Sequence, residues 1–419
     1  MKLLNYLRPR QFWLVVVALF LGEAVLTPAD YFPSDRHCFL TWAQHLAAHG
    51  VGSAYQLATY NYPPLIAYPL WLWGKSFASD AALDHSFHFF KLFPLAFDFA
   101  AAVAIVRWAG DRRWEMAGFM LLAANPLFLY DSYYWGQVDA VSSGLVFFSL
   151  VASLKDRPVV AALLYLLAIN FKIQAVVFLP PLALVGLWKY RNPWRSADYI
   201  RAAGYAALLQ LAILLPFILV GQIGQMAAVI GHSLGFYQVV SMHADNFWYL
   251  LYGSAAYGMT DNVSLAAGLT AKQLGLLLFC AYSLALLGPF LLRLGAAWRS
   301  GRLPAIPEDK VILLFALIPL GFFFFNTEMH ERYSHPAIYF VAAYAFRTRR
   351  YAWLVLMLTA FAFNLESVFR HLALISYQWP WFNPRVIAAM YGALIVALAS
   401  YYFRPETTPG QASAPVMTS

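Results

Sequence analysis

The chain has 419 residues, of which 62% are hydrophobic, 18% aromatic and only 11% charged. Soluble domains usually carry ~25% charged residues, so the composition excludes an ordinary soluble protein and indicates a polytopic membrane protein. Lys and Arg outnumber Asp and Glu by 28 to 20, and in a membrane chain this excess reports topology rather than a nucleic-acid partner. Two cysteines, Cys38 and Cys280, do not favour a disulfide framework.

Apolar runs of the length that an α-helix needs to cross ~30 Å of hydrocarbon recur along the chain. The basic start MKLLNYLRPR leads into such a run without a small-residue cleavage site, which favours a first span over a cleavable signal peptide. The sequence therefore predicts an all-α polytopic membrane protein with about 12 transmembrane helices. The predicted spans are 11–28, 90–107, 114–130, 138–154, 158–171, 173–189, 201–221, 272–293, 311–326, 333–346, 351–369 and 384–403.

The apolar stretch PPLIAYPLWLWG, residues 63–74, is little more than half the length of a crossing helix, so it is predicted to be re-entrant or interfacial. With this stretch outside, one set of loops collects 20 of the Lys and Arg residues and the other set collects 8. The positive-inside rule then places both termini in the cytoplasm. A crossing at 63–74 would instead put most of the positive charge outside.

The predicted organisation is one membrane domain over residues 1–403. It includes a first outer loop at 29–89, with interfacial or re-entrant helices, and a second large outer loop at 222–270. The polar segment 404–419, rich in Pro, Thr and Ser, is predicted to be a disordered cytoplasmic tail.

Unusual polar residues collect on the predicted outer face. This face receives the 29–62 loop, the WGQVD turn at 135–139, the 222–270 loop and the segment NTEMHERY at 326–333. Ionisable groups next to apolar spans usually face an internal cavity and not lipid. The sequence therefore predicts a functional cavity between the spans that opens outward.

Asp35 begins a predicted amphipathic helix in the first outer loop. The pattern DRHCFLTWAQHLAAH places Phe39, Trp42 and Leu46 on one helical face, which is typical of a helix that lies in the membrane interface. Asp35 could be only the N-cap of this helix. It could also be an outward-facing carboxylate that takes a proton from a hydroxyl nucleophile.

Six motifs in this order, PSDRHCFLTW, YNYPPLIAY, WGQVDAV, INFKIQA, DNFWYLL and HERY, resemble the multi-spanning GT-C glycosyltransferases. The resemblance is to the GPI mannosyltransferase-like bacterial proteins and the dolichyl-phosphate-glucose glucosyltransferases of the endoplasmic reticulum, and it extends to about residue 346. It implies inverting transfer of one hexose, with mannose as first choice and glucose as second. The implied donor is a polyprenyl-phosphate sugar, and no nucleotide sugar or other cofactor is needed.

The same resemblance implies that the acidic residue of the first outer loop is the general base. By its place in the motif this residue is Asp35, with Asp30 in reserve. Many relatives carry paired acids at this point, whereas Arg36 follows Asp35 here, which speaks against a two-carboxylate or metal-bridged site. The implied acceptor is a hydroxyl of a glycan, a glycolipid or a protein. The implied location is a bacterial inner membrane with a periplasmic active site.

A polyprenyl phosphate leaving group gathers negative charge, so the site needs cations or hydrogen-bond donors at the membrane edge. The outward-side candidates are Arg332, His330, Lys172 and Lys91. Arg332 is preferred because a guanidinium fork matches two phosphate oxygens. Arg332 could instead form a salt bridge with Glu331 or Glu328, and Lys172 could be a helix-end lysine that reaches the interface.

Further residues are predicted to bind the sugar or the acceptor: Tyr62, Trp135, Gln137, Asp139, Asn246, Trp248 and Glu331. Trp135 would stack on a sugar and Gln137 would donate an amide hydrogen bond, while Asp139 could be a ligand or an N-cap. The spacing of His232, His243 and Asp245 matches no metal-ligand pattern, so no metal is predicted.

Two other classes of protein compete with the enzyme. A transporter or a flippase for a lipid-linked sugar would also have many spans and a polar cavity. Transporters commonly contain paired repeats with broken helices, which the sequence does not show, and the ionisable residues here gather on one face and not along a through-path. A non-catalytic lipid-binding scaffold leaves this one-sided clustering unexplained.

Overall fold

The computed structural model describes residues 9–189, 196–233, 235–265, 268–300 and 306–405. It is 77% helical with almost no sheet, which confirms the predicted all-α class. The predicted tail lies outside the described residues from 406 onward. The described α-helices are α1 Pro9–Val25, α2 Pro33–His49, α3 Ala67–Lys75, α4 Asp80–Ser86, α5 Leu92–Trp108, α6 Glu115–Ala123, α7 Asp139–Leu154, α8 Pro158–Phe171, α9 Leu179–Lys189, α10 Ser196–Leu219, α11 Ile223–Gly231, α12 Phe247–Tyr252, α13 Ala271–Ser300, α14 Glu308–Phe325, α15 Ile338–Thr348, α16 Tyr351–Phe369 and α17 Pro384–Phe403.

Five helical segments in the described part of the chain are long and apolar enough to cross a membrane. These five segments match five of the predicted spans. The predicted total of about 12 transmembrane helices is not confirmed. The other predicted spans coincide with shorter helices or with α14, whose first turn is charged. The five segments are Asp80–Trp108, Ala197–Leu219, Ala271–Ala296, Tyr351–Phe369 and Pro384–Phe403.

Local chemistry explains two of the short helices. The predicted span 114–130 is interrupted because α6 ends at Ala123 and Asn125 then accepts the Leu127 N–H at 2.9 Å in an Asx turn around Pro126. The predicted span 333–346 begins late because residues 326–337 form a strand and turns before α15. In both places the chain leaves the helix where polar side chains begin.

The long helices α10 and α13 face outward with apolar side chains. Leu208 and Leu219 on α10 are 64% and 76% exposed, and Leu284 and Leu292 on α13 are 66% and 74% exposed. Such surfaces are costly in water and favourable against lipid. The fold is therefore compatible with a multi-pass membrane protein.

The first outer loop folds into helices that pack on the protein. Phe39, Trp42 and Leu46 are buried on one face of α2, which confirms the predicted amphipathic pattern. This face packs inside the protein, where Phe39 lies against Phe90 and Trp42 against Tyr60. The sequence had predicted that it would lie in the membrane interface. Helix α3 has nine residues and a length of about 14 Å, so it is too short to cross the membrane alone.

Several helices begin or end at one of the two opposite ends of the helical bundle. At the first end, called here the site end, α7 begins, α8 ends, α14 ends and α15 begins. The opposite end carries exposed ion pairs between Arg349 and Asp111 and between Arg347 and Glu308. This separation agrees with the predicted division of the loops into two faces.

A two-stranded parallel sheet closes the site end. β1 (Ser241–Met242) pairs with β2 (Met329–His330) and so joins the second outer loop to the segment 326–337. Glu328 has a φ of +62°, and its carboxylate accepts the Gly235 N–H at 2.9 Å and pairs with Lys272 at 2.6 Å. Glu328 therefore holds the outer loop in place.

The two ends of the bundle should be reached from opposite sides of the membrane. Asp84 precedes α5 and is 52% exposed, and Arg349 lies beyond the other end of α5, pairs with Asp111 and is 73% exposed. In a background with Cys38→Ser and Cys280→Ser, we expect Asp84→Cys to react with an impermeant maleimide on intact cells. Arg349→Cys should react only after permeabilisation. Equal labelling of both positions on intact cells would refute the assignment of faces.

Candidate functional site

Asp35 is held by contacts between the start of α2 and the 135–137 turn. The Phe32 N–H donates to the Trp135 carbonyl at 3.0 Å, and the two rings stack with centroids 4.1 Å apart. The Trp135 indole N–H then donates to Asp35 Oδ2 at 2.7 Å. The N-cap interpretation of Asp35 is wrong, because Phe32 is the N-cap residue and Asp35 is the third residue of the helix.

An irregular backbone segment places Trp135 in this position. Residues Tyr130–Trp135 form a π-helix, a form that is frequent at functional sites. Gly136 ends it with a φ of +87°, which glycine adopts readily, and the Tyr31 hydroxyl donates to the Gly136 carbonyl. Trp135 is fully buried with Phe32 on one face. It therefore offers no open surface for a sugar. Trp135 orients Asp35 instead of stacking on a sugar as predicted.

A buried ion pair joins α7 to α8. Lys172 directly follows α8 and donates to Oδ1 of Asp139, the first residue of α7. Only 5% of Lys172 and 2% of Asp139 are exposed. Lys172 therefore does not reach the interface, and Asp139 is not an N-cap, a position that Val138 holds.

Arg332 extends this ion pair into a network. Its Nη1 donates to Glu331 Oε1 at 2.5 Å, and its Nε lies 3.6 Å from Asp139 Oδ2. The predicted salt bridge with Glu331 is therefore present, whereas Glu328 binds Lys272 and backbone N–H groups elsewhere. Nε of Arg332 is buried without a hydrogen-bond partner, so the guanidinium keeps donor capacity.

Electrostatics favour the charged forms of Arg332 and Glu331 and the neutral form of His330. Burial alone would lower the pKa of Arg332, but Asp35 and then Glu331 raise it well above its usual value. Burial acts to raise the pKa of Glu331, yet Arg332 and His330 bring it down to about 2. Burial, followed by the charge of Arg332, lowers the pKa of His330. His330 is therefore less suited than Arg332 to act as a cation for phosphate.

A cavity of about 270 Å³ lies next to these residues. Tyr62, Lys172, Tyr237 and Arg332 are among its lining residues. Burial raises the pKa of Tyr62 and of Tyr237, and Asp35 raises both further, so the Asp35 carboxylate is within electrostatic reach of the cavity wall. The Tyr62 hydroxyl also donates to Gln137 Oε1 at 3.3 Å.

The structure thus gathers most of the predicted site residues at one place and leaves four of them elsewhere. Lys91 is buried and donates to the carbonyls of Pro28 and Asp30, both at 2.7 Å, so it shapes the loop before α2. The Asp30 side chain is 72% exposed and lies 3.5 Å from His371. Asn246 caps α12, and the Trp248 indole donates to the Phe325 carbonyl, so both are structural.

Asp131 is a residue of this site that the sequence analysis missed. Its carboxyl group is fully buried, and neither oxygen has a hydrogen-bond partner among the described residues. Asp139, Lys172, Arg332 and Asp98 act on it electrostatically. The sequence did contain a signal for this residue: Asp131 is a charged residue in the apolar run LFLYDSYYWG, four positions before Trp135.

Searches with models of known protein families and among curated proteins find no match to this chain.

The buried ion pair can be tested through stability. Lys172→Met leaves Asp139 without its principal cation, and removal of one partner of a buried pair typically costs about 3–5 kcal/mol. We expect a large fall in the melting temperature in detergent. The matched change Arg349→Met breaks an exposed pair and should cost about 1 kcal/mol or less. Adding Asp139→Asn to Lys172→Met should restore part of the loss, and an equal fall for both single variants would contradict the buried pair.

Proposed function

We propose that this protein is an integral-membrane hexosyltransferase of GT-C type. It transfers one hexose, mannose first and glucose second, from a polyprenyl-phosphate donor to an acceptor hydroxyl with inversion. The active site faces the extracytoplasmic side of a bacterial inner membrane, the chain has about 12 membrane segments, and both termini are cytoplasmic. The observation that carries the proposal is that Lys172 and Arg332, which are distant in sequence, line one cavity, while Asp35 acts electrostatically on Arg332 from the start of α2 and raises its pKa.

Asp35 is suited to the role of general base. The carboxylate is only half-buried, and the indole N–H of Trp135 fixes Oδ2. Within the described part of the chain no hydrogen bond is made to Oδ1, so this oxygen is open to an acceptor hydroxyl. As that hydroxyl loses its proton to Asp35, its oxygen bonds to the anomeric carbon and the bond from this carbon to the phosphate oxygen breaks on the opposite side.

Lys172 and Arg332 are suited to the leaving phosphate. Both line the cavity, and Arg332 has five N–H donors, of which one is used by Glu331. Fixed donors aimed at developing charge are an effective form of catalysis. Because both cations also pair with Asp139, a bound phosphate would share them with this carboxylate or replace it as their partner.

Removal of the proposed base should abolish transfer and leave binding intact. Asp35→Asn keeps the hydrogen bond from Trp135 but cannot take a proton, so we expect transfer to fall about 100-fold or more. Asp84→Asn changes an exposed carboxylate and serves as the matched control. The measurement is the release of polyprenyl phosphate by purified protein in lipid, with a panel of polyprenyl-phosphate sugars. Normal turnover in Asp35→Asn together with an inactive Asp30→Asn would move the base to Asp30.

The role of Arg332 can be separated from simple structural pairing with Glu331. Arg332→Lys keeps the charge but loses the two-point fork, so transfer should weaken. Arg332→Ala should fall further, because loss of a donor aimed at developing charge costs about 3 kcal/mol. Turnover and melting temperature are measured on the same samples. Full specific activity in folded Arg332→Ala would refute the phosphate-binding role. If the unmodified protein moves substrate across sealed vesicles and releases no polyprenyl phosphate from any donor, it is a transporter instead.

A further inference from the structure

The connection between α16 and α17, residues 370–383, is fastened to the π-helix by Glu366. Glu366 Oε1 accepts the Leu372 N–H at 3.0 Å and the Tyr377 hydroxyl. Its Oε2 accepts the Tyr130 hydroxyl. Glu366 is only 2% exposed. Its hydrogen bonds therefore hold this segment in place and are not directed at a ligand.

A second cavity of about 200 Å³ lies beneath this segment. Its wall is almost wholly apolar, because the Glu366 oxygens are turned to their donors. Engineered apolar cavities of about 150 Å³ stay dry and bind small apolar molecules. This cavity is therefore suited to a hydrocarbon group. Its lining includes Leu127, Tyr130, Tyr134, Phe363, Leu374 and Phe382.

The cavity is next to a surface that is suited to lipid. Leu372 and Trp381 belong to the cavity lining and are also 58% and 46% exposed. Ile375 is fully exposed, and Trp379 is 40% exposed on the same segment. The segment joins two helices that are long and apolar enough to cross a membrane, and tryptophan is enriched where such helices meet the interface. The occupant of the cavity can therefore come from the bilayer.

A run of neighbouring rings connects this cavity to Asp35. The Tyr134 ring lies 4.9 Å from His371, His371 lies 5.4 Å from Phe369, and Phe369 lies 5.5 Å from Trp135. Trp135 in turn donates to Asp35. The two cavities share no lining residue, and both Lys172 and Arg332 belong to the other one.

We propose that the apolar cavity holds part of the hydrocarbon chain of the acceptor, which makes the acceptor an amphipathic lipid with a hydroxyl near Asp35. This inference rests on the proposed function. The donor phosphate requires the cations of the 270 Å³ cavity, whereas the lining of the apolar cavity includes no Lys or Arg. The lipid hydroxyl gives its proton to Asp35 and its oxygen bonds to the anomeric carbon, as polyprenyl phosphate leaves.

The cavity can be tested with hexadecanol that carries a photoreactive diazirine on its chain. The full-length protein in nanodiscs is irradiated with this probe, and the labelled peptides are identified by mass spectrometry. We expect saturable labelling of residues 127–134 and 372–382, which unmodified hexadecanol suppresses and polyprenyl phosphate does not. Labelling that never saturates would overturn the proposal. Suppression by polyprenyl phosphate would also overturn it, because the cavity would then hold the donor chain.

Two variants fill the cavity from different sides. Ala362→Phe fills it from α16, and Leu374→Trp fills it from the connecting segment. Either change should lower the saturable labelling about 10-fold in folded protein, whereas Leu208→Phe, on the exposed surface of α10, should not change it. Unchanged labelling in both filled variants would refute the site.

The labelling result and the proposed transferase activity can fail separately. Release of polyprenyl phosphate by the unmodified protein reports the activity and needs no photoreactive probe. If release occurs, acceptor activity should be found with long-chain lipid alcohols and should fall in Ala362→Phe. Transfer to water-soluble acceptors alone would overturn the lipid acceptor while leaving the transferase intact.

Discussion

Asp139 is a buried anion that lies beside both cations of the site. It pairs with Lys172 and lies 3.6 Å from the Nε of Arg332, so it connects α7, the end of α8 and the segment 326–337. A buried charge without a partner is far more costly than a buried pair. The three chain segments are therefore held at one place by charge, and the cavity beside them exists because their helices stop there.

The signs of these charges also match the helix ends that carry them. Asp139 begins α7, where the partial positive charge of the helix favours an anion, and Lys172 follows α8, where the partial negative charge favours a cation. The antiparallel packing of α7 on α8 brings the two ends together. Short helices that end inside the protein thus supply a polar site that long crossing helices would not.

The sequence was informative about which residues share a face and less informative about their individual partners. Asp35, Asp139, Lys172 and Arg332 were assigned to one end of the fold by charge counting, and the structure brings them together. Trp135 could not be interpreted correctly, because the ring that covers it, Phe32, is distant in sequence. Asp131 was missed for a related reason: its carboxyl group stands in an apolar run, but most of the groups that give it importance, Asp98, Lys172 and Arg332, are distant in sequence.

The π-helix at Tyr130–Trp135 places side chains beside both Asp35 and the apolar cavity. A regular α-helix places successive side chains 100° apart, and the wider turn of this segment changes that spacing. Trp135 points to Asp35, while Tyr130 and Tyr134 point to the apolar cavity and to Glu366. Glu366 fixes one side of the segment and Gly136 fixes its end. Tyr134, which lines the apolar cavity, is next in the chain to Trp135, which orients Asp35. In the proposed function, a lipid chain that moves Tyr134 would therefore act on the position of the proposed base through a single turn of the chain.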